Sequence, residues 1–147
     1  MNFLPIKETL QENEAFANDP LCKESLGMCI KFYKRVEFNP PWICYYVEEN
    51  GELIGSAAFK GKPINNTVEI SYGTFENHRQ QGVGTKICQR LVELSLATDP
   101  SVRITARTLP EKNYSTRILE KNNFILLGFV NDPEDGEVWE WEYKMKV

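Results

Sequence analysis

RQQGVGT, at residues 79–85, lies between a predicted strand and the clearest predicted helix of this 147-residue chain. Gly82 and Gly84 let the backbone approach a ligand closely, and the following helix begins with N–H groups that have no partner within the helix. These groups and the positive end of the helix dipole favour an anion such as a pyrophosphate, to which Arg79 adds a charge-assisted contact. The segment therefore predicts an anion site, although a tight turn without a ligand remains the alternative for these residues alone.

The two elements beside this segment have the clearest patterns in the chain. Upstream, apolar and polar residues alternate over 67–75, which predicts a strand with Glu69 on its polar face. Downstream, apolar residues recur at helical spacing over 84–97, and Asp99-Pro100 ends this helix. The glycine-rich segment is therefore predicted to be a strand-to-helix connection.

The remaining elements follow from local patterns. Residues 6–38 are predicted to form two helices that are split at Pro20, with Asp19 as the cap of the second helix. Further strands are predicted over 42–47, 52–59, 102–108, 124–130 and 137–145, and a further helix over 113–122. The pattern predicts one α/β (α+β) domain over 1–147, with a mixed sheet of about six to seven strands flanked by about four helices.

Charge and hydropathy narrow the choice of partners. The chain has 17 Lys and Arg against 21 Asp and Glu, which gives a net charge of -4. Its basic residues are scattered rather than concentrated, so nucleic acid is not an expected ligand. No long apolar run is present, so a membrane-spanning protein is not expected either.

Cysteine and histidine usage argues against a metal site. The cysteines show neither CxxC pairs nor a dense disulfide pattern, and they are predicted to be free and mostly buried: Cys22, Cys29, Cys44 and Cys88. The single histidine, His78, is predicted to face solvent in a loop and leaves no spare ligand for a zinc site. Residues 1–10 contain Pro5 and charged residues instead of the apolar core of a signal peptide, which predicts a cytoplasmic location.

The closing strand and the turn before it carry two further patterns. Large apolar residues alternate along the strand and are predicted to be core, with lining of a binding pocket as the alternative: Trp139, Trp141, Tyr143 and Met145. The turn is acidic and is predicted to be a solvated loop, with attraction of a cation as the alternative: Asp132, Glu134 and Asp135.

Nucleotide-binding motifs fit the glycine segment poorly. The chain has no GxxxxGK[ST] sequence and lacks the third glycine of GxGxxG. Residues 79–84 instead match the R/Q-x-x-G-x-G/A signature of GCN5-related N-acetyltransferases, the GNAT family, which the chain resembles from about residue 5 to its end. The resemblance implies a GNAT-like acyl-CoA N-acyltransferase fold.

Two other segments resemble the branch of ribosomal-protein N-terminal acetyltransferases (RimJ/RimL-type). Residues 69–72 resemble its E-x-G-Y motif, and residues 115–124 resemble its S-x-R-x-x-E-K-x-G-F motif. Ser71 and Asn123 replace a glycine in each motif, and Asn113 stands one place after the asparagine of the family.

The resemblance implies direct transfer of an acetyl group from acetyl-CoA to a primary amine in a ternary complex. The acceptor would be a peptide N-terminus or a small amine, and no metal is implied. The chain is expected to act as a monomer or homodimer, without a nucleic acid or membrane partner.

Roles for individual residues follow from the same resemblance. Glu69 would be the general base, with a solvated or salt-bridged strand carboxylate as the alternative. Leu119 stands where many members have a proton-donating tyrosine, so Ser115 or Tyr114 would replace it; helix capping and aromatic packing are their alternatives. Residues expected to bind the cofactor are Tyr72, Thr74, Arg79, Gln80, Gln81, Gly82, Val83, Gly84, Thr85 and Asn113.

Two other functions remain open at this level. Leu119 and the displaced Asn113 are also compatible with a catalytically inactive CoA-binding sensor or interaction module. A nucleotide-binding α/β domain rests on the glycine segment alone.

Overall fold

The computed structural model describes residues 1–144. The strands are β1 (Asn2–Pro5), β2 (Cys44–Glu49), β3 (Glu52–Phe59), β4 (Thr67–Thr74), β5 (Arg103–Thr108), β6 (Phe124–Asp132) and β7 (Gly136–Tyr143). The helices are α1 (Glu14–Ala17), α2 (Lys23–Val36), α3 (Val83–Thr98) and α4 (Tyr114–Lys121). The predicted α/β class, with a sheet of six to seven strands and four helices, is confirmed.

The seven strands form one mixed sheet in the order β1-β2-β3-β4-β5-β7-β6. All neighbouring pairs are antiparallel except β4 and β5, which are parallel and are connected through α3. Helix α2 packs on one face, where the hydroxyl of Ser25 lies 2.6 Å from that of Tyr46. Helix α3 packs on the other face, where Ile87 lies against Gly55. Ser56 is the strand partner of Tyr46 and shares its face of the sheet. Because successive residues of a strand face opposite sides, Gly55 lies on the other face, and α2 and α3 therefore cover opposite faces.

The sheet forks between β4 and β5. Their pairing ends at Ile70 and Ala106, whereas β4 stays paired with β3 up to Thr74. In a strand, successive residues direct their backbone groups to opposite neighbours, and the carbonyl of Glu69 accepts from Lys60 on the β3 side. The backbone groups of Tyr72 and Thr74 therefore point into the gap on the β5 side.

The N-terminal region differs most from the prediction. β1 was not predicted, because four residues at a sheet edge are too short to establish an alternating pattern. The proposed first helix is reduced to the single turn of α1, since Asn13 is buried and its side chain bonds the backbone of Lys7 and Thr9 in a loop. α2 begins at Lys23 and not at Asp19, whose side chain accepts from the N–H of Leu21 in a turn.

The closing hairpin is mostly as predicted. Trp141 is buried, while Trp139 and Tyr143 are half-buried and pack against the core. Met145 lies outside the described residues. β6 is an edge strand and exposes four large apolar side chains: Ile125, Leu126, Leu127 and Phe129.

The predictions for the cysteines are confirmed. Three of them are buried and Cys29 is half-buried, and all four are free. Among residues 1–144, no helix has both the length and the apolar character needed to cross a membrane.

Candidate functional site

Two cavities lie at the fork between β4 and β5. The first, here named the charged cavity, has a volume of about 370 Å³ and includes these polar residues in its lining: Lys60, Glu69, Ser71, Arg107, Asp132 and Asp135. The second, the loop cavity, has a volume of about 450 Å³ and includes Gly73, Thr74, Arg79, Gln80 and Arg117. Tyr72 and Ser115 line both cavities, so these two residues mark where the cavities meet.

The glycine-rich segment presents free N–H groups. Gly82 has φ +76° and lies at the N-cap position of α3, and no side chain among residues 1–144 caps this helix. The N–H groups of its first turn, at residues 83–85, therefore remain available. A Cβ atom at Gly82 would meet nothing within 4 Å, so the space beside the loop is open. This geometry suits an anion.

Gly84 has a packing role in addition to the predicted one. A Cβ atom here would lie 2.6 Å from Cδ1 of Ile118 and 3.3 Å from Oγ1 of Thr74. The lack of a side chain at Gly84 therefore lets α3 pack closely against α4 and β4, and the approach of its backbone to a ligand stays a prediction.

The predicted cofactor-binding residues do not all reach the loop cavity. Tyr72, Thr74, Arg79 and Gln80 line it. Gln81 is exposed, Val83 is buried, and the carbonyl of Thr85 accepts from Asn122. For residues 81–85, the backbone is therefore the part that can bind a ligand.

Two cations accompany the loop cavity. Nε of Arg79 donates to the carbonyl of Thr74 at 3.3 Å, which holds its guanidinium at the end of β4. Arg117 is exposed on α4 and lines the same cavity. Arg117 occupies the arginine position of the S-x-R motif, for which the sequence alone predicts no role.

The start of α4 is organised by Asn113. Its side chain accepts from the N–H of Thr116 at 3.2 Å, and Oγ1 of Thr116 accepts from the N–H of Asn113 at 2.9 Å. This reciprocal cap engages the side-chain oxygen of Asn113, a residue that was expected to bind the cofactor. The capping interpretation of Ser115 is therefore wrong, and Ser115 instead lines both cavities. Tyr114 lines the loop cavity alone.

Tyr72 lies with its hydroxyl near the backbone of Ser115. The hydroxyl donates to that carbonyl at 3.4 Å. Burial, followed by the nearby thiol of Cys88, raises the pKa of Tyr72 well above its usual value. The phenol is therefore protonated at neutral pH and acts as a hydrogen-bond donor where the cavities meet.

Glu69 is a salt-bridged strand carboxylate that also lines a cavity, and its role as the general base stays a prediction. Its side chain lines the charged cavity and is 20% exposed. It is also salt-bridged, with Oε2 3.3 Å from Nζ of Lys60 and Oε1 3.8 Å from Nε of Arg107. Arg107 also contacts Asp132 at 2.9 Å and Glu140 at 3.2 Å, so its guanidinium forms ion pairs with three carboxylates.

Two of the side chains predicted to be solvated are largely covered, whereas Glu134 and Asp135 are exposed as predicted. Asp132 is 10% exposed and accepts from the N–H groups of Glu134 and Asp135, in addition to its pair with Arg107. His78 is also largely covered, because a short 3-10 turn at Glu76–His78 brings its Nε2 to 3.1 Å from Oε1 of Glu52.

Because of Asp132, the stability of the fold is expected to fall as the pH becomes acidic. The N–H of Glu134, then Arg107, lowers the pKa of Asp132 to about 2, from an unfolded value of about 3.9. A lowered pKa in the folded state stabilises the protein above pH about 4, and this contribution disappears as the pH falls through about 2. We therefore expect Asp132→Asn to reduce stability at pH 6 and to make the decline between pH 5 and pH 2 shallower. Urea unfolding across this range measures the effect; a difference between variant and wild type that stays constant with pH would contradict it.

The comparisons with known proteins agree with this geometry. The family described as "Acetyltransferase (GNAT) domain" matches residues 3–125, and the chain therefore belongs to the GNAT acetyltransferase family. A relative named "Uncharacterized N-acetyltransferase YjdG" from Bacillus subtilis (strain 168) is 32% identical over 100 residues, which are 67% of this chain and 56% of that relative. The match thus spans little more than half of the relative's length.

Solved structures share the fold. An aminoglycoside acetyltransferase AAC(6')-Ib, in complex with coenzyme A and kanamycin, is 27% identical with a TM-score of 0.59 over 69% of this chain and 66% of its own. RimL, a ribosomal L7/L12 alpha-N-protein acetyltransferase in complex with coenzyme A, is 18% identical with a TM-score of 0.64 over 94% of this chain and 79% of its own. The expected GNAT fold is confirmed, whereas the likeness to RimL concerns the fold alone.

Proposed function

We propose that this chain is an acetyl-CoA-dependent N-acetyltransferase that moves an acetyl group to a primary amine by direct attack in a ternary complex. The observation that carries the proposal is the fork between β4 and β5. One cavity at the fork is lined by Arg79 and Gln80 of the loop that leads to the free N–H groups of α3, the other contains ionised side chains, and they meet at Tyr72 and Ser115. A thioester and an amine can therefore approach each other from opposite sides of the sheet.

The loop cavity fits the cofactor. The N–H groups of residues 83–85, with Arg79 and Arg117 beside the cavity, suit a pyrophosphate. The backbone groups of Tyr72 and Thr74 that face the gap suit a pantetheine amide, which would extend β4 as an added strand does. Backbone N–H groups over 72–74 would then stabilise the charge that develops on the thioester oxygen.

The charged cavity suits an amine acceptor. Its lining carries the carboxylates of Glu69, Asp132 and Asp135 against the cations of Lys60 and Arg107. A primary amine is protonated at neutral pH and has to lose a proton before it attacks. Glu69 would take this proton directly or through a water molecule.

Ser115 is the better supported of the two candidate proton donors to the departing thiolate. It lines both cavities, whereas Tyr114 lines only the loop cavity. A CoA thiolate is also a far better leaving group than an alkoxide, so it leaves with little assistance.

We further propose a peptide N-terminus or a small amine as the acceptor, in line with the RimJ/RimL-type motifs, and a cytoplasmic enzyme acting as a monomer or homodimer. No nucleic acid, membrane or metal takes part in this proposal. The alternative is a CoA-binding sensor without catalysis. It is favoured by Leu119, which is buried in the core and leaves the loop cavity without the usual tyrosine.

Gly82→Asp is expected to weaken acetyl-CoA binding by about tenfold or more, because the negative charge of a carboxylate at the N-cap repels a pyrophosphate at the first N–H groups of α3. Gly82→Asn is the matched control, since asparagine has the same shape, also tolerates a left-handed backbone and adds no charge. Calorimetric titration of both variants and the wild type measures the difference. No binding by folded wild type, or equal binding by the two variants, would contradict the proposed cofactor site.

Turnover separates the enzyme from the sensor. Thiol release from acetyl-CoA with a panel of primary amines, including kanamycin, spermidine and short peptides with free N-termini, tests the reaction. Acceptor-dependent release supports the transferase, and tight acetyl-CoA binding without release for any member of the panel supports the sensor.

A further inference from the structure

Lys60 brings a primary amine of the chain itself to the proposed base. It directly follows β3, and its backbone N–H donates to the carbonyl of Glu69 at 2.8 Å. Its side chain turns to the same residue, with Nζ 3.3 Å from Oε2 of the carboxylate. The ammonium of Lys60 is thus paired with Glu69, the carboxylate that accepts the proton of the acceptor amine in the proposed function.

The two cations on Glu69 differ in how firmly they are held. Arg107 also bonds Asp132 and Glu140, and its side chain is 28% exposed. The ammonium of Lys60 has its described ion pair with Glu69, and its side chain is 40% exposed. Breaking an exposed ion pair of this kind costs little free energy, and the four-carbon side chain of lysine is flexible. Lys60 can therefore move within the cavity while Arg107 keeps Glu69 in place.

Lys60 also belongs to the cavity that reaches the reacting position. It lines the charged cavity together with Tyr72 and Ser115, which in turn line the loop cavity. An amine held in this cavity has a high effective concentration near a thioester at the junction.

We propose that Nζ of Lys60 is itself an acetyl acceptor, and that the chain acetylates this residue when no other amine occupies the charged cavity. This inference rests on the proposed function. Glu69 takes one proton from the ammonium, the free Nζ forms a bond with the thioester carbonyl carbon, and the carbon–sulfur bond breaks. CoA leaves as the thiolate, and the second nitrogen proton is lost as the neutral amide forms. The balance is one Nε-acetyl-lysine, one free CoA thiol and one released proton, with no oxidant or reductant.

Lys62 provides a matched internal control. It lies two residues further on, pairs with Glu37 at 3.7 Å, and is more exposed than Lys60, at 56%. Uncatalysed acetylation follows exposure and favours Lys62, whereas the proposal requires Lys60. Cleavage after glutamate yields the peptide 53–69, which contains these two lysines and no others.

The experiment incubates the purified chain with acetyl-CoA alone and follows the acetyl mass on each lysine by tandem mass spectrometry. We expect Lys60 to be acetylated about tenfold or more faster than Lys62. Glu69→Gln is expected to slow the reaction at Lys60 by a similar factor, and Glu37→Gln, which removes the partner of Lys62, is not. Circular dichroism and acetyl-CoA titration check that each variant folds and binds the donor.

The outcomes are distinguishable from a failure of the proposed function. Equal modification of Lys60 and Lys62, or an unchanged rate at Lys60 in Glu69→Gln, overturns the inference. If Lys60 stays unmodified while added amines are acetylated, the inference falls and the proposed transferase stands. If folded wild type does not bind acetyl-CoA in the titration, both fall.

Discussion

Glu69→Gln is expected to lower kcat for an added primary amine by about 100-fold or more, because glutamine keeps the shape of the side chain but cannot take a proton. The Kd for acetyl-CoA is expected to stay unchanged, since Glu69 lines the charged cavity and not the loop cavity. The loss should shrink as the pH rises towards the pKa of the acceptor, because more of the amine then arrives already neutral. Thiol release measured against pH, with calorimetric titration of acetyl-CoA, checks both parts.

Glu140→Gln is the matched control for this variant. Glu140 pairs with the same Arg107, at 3.2 Å, but is not part of the lining of the charged cavity. Each substitution removes one negatively charged partner of the Arg107 guanidinium, so any effect that acts through Arg107 alone should be similar in both variants. A large loss confined to Glu69→Gln indicates a role in proton transfer. Normal turnover by Glu69→Gln would exclude Glu69 as the base.

The elements that the sequence predicts well are those with strong local patterns. β3 has the predicted range of 52–59, and α3 extends the predicted helix by one residue at each end. The extended pattern that predicts β3, and the helical periodicity and the Asp99-Pro100 stop signal that predict α3, can each be recognised within a short stretch of sequence. β1 depends instead on pairing with β2, forty or more residues away, and no local pattern in four residues reveals it.

The candidate site divides in the same way. The uncapped start of α3 was predictable because a glycine-rich strand-to-helix connection is contiguous in sequence. The ion pairs of Glu69 were not, since Lys60 and Arg107 come from different elements and meet it only through the register of β3, β4 and β5. The role of Gly84 was missed for a related reason, because its closest neighbour, Ile118, belongs to α4.

Leu119→Ala is expected to lower the free energy of unfolding by about 2–5 kcal/mol. Leu119 is 0% exposed, and its side chain belongs to the core beneath α4, so truncation leaves a cavity that this short helix cannot readily close. Urea unfolding measures the loss. The neighbouring Glu120 is exposed, so Glu120→Ala is the control and should change stability by less than about 0.5 kcal/mol.

The same burial decides what a tyrosine would do at this position. Leu119→Tyr restores the residue that many family members use as a proton donor, yet the side chain here enters the core and lines neither cavity. We expect no gain in kcat and a loss of stability from overpacking. If kcat rose in this variant without a loss of stability, the phenol would have to reach the junction at Tyr72 and Ser115, and α4 would have to turn its buried face towards the loop cavity. Because Ile118 and Leu119 are both buried, such a rotation would expose apolar surface, and the proton donor is therefore better sought at Ser115.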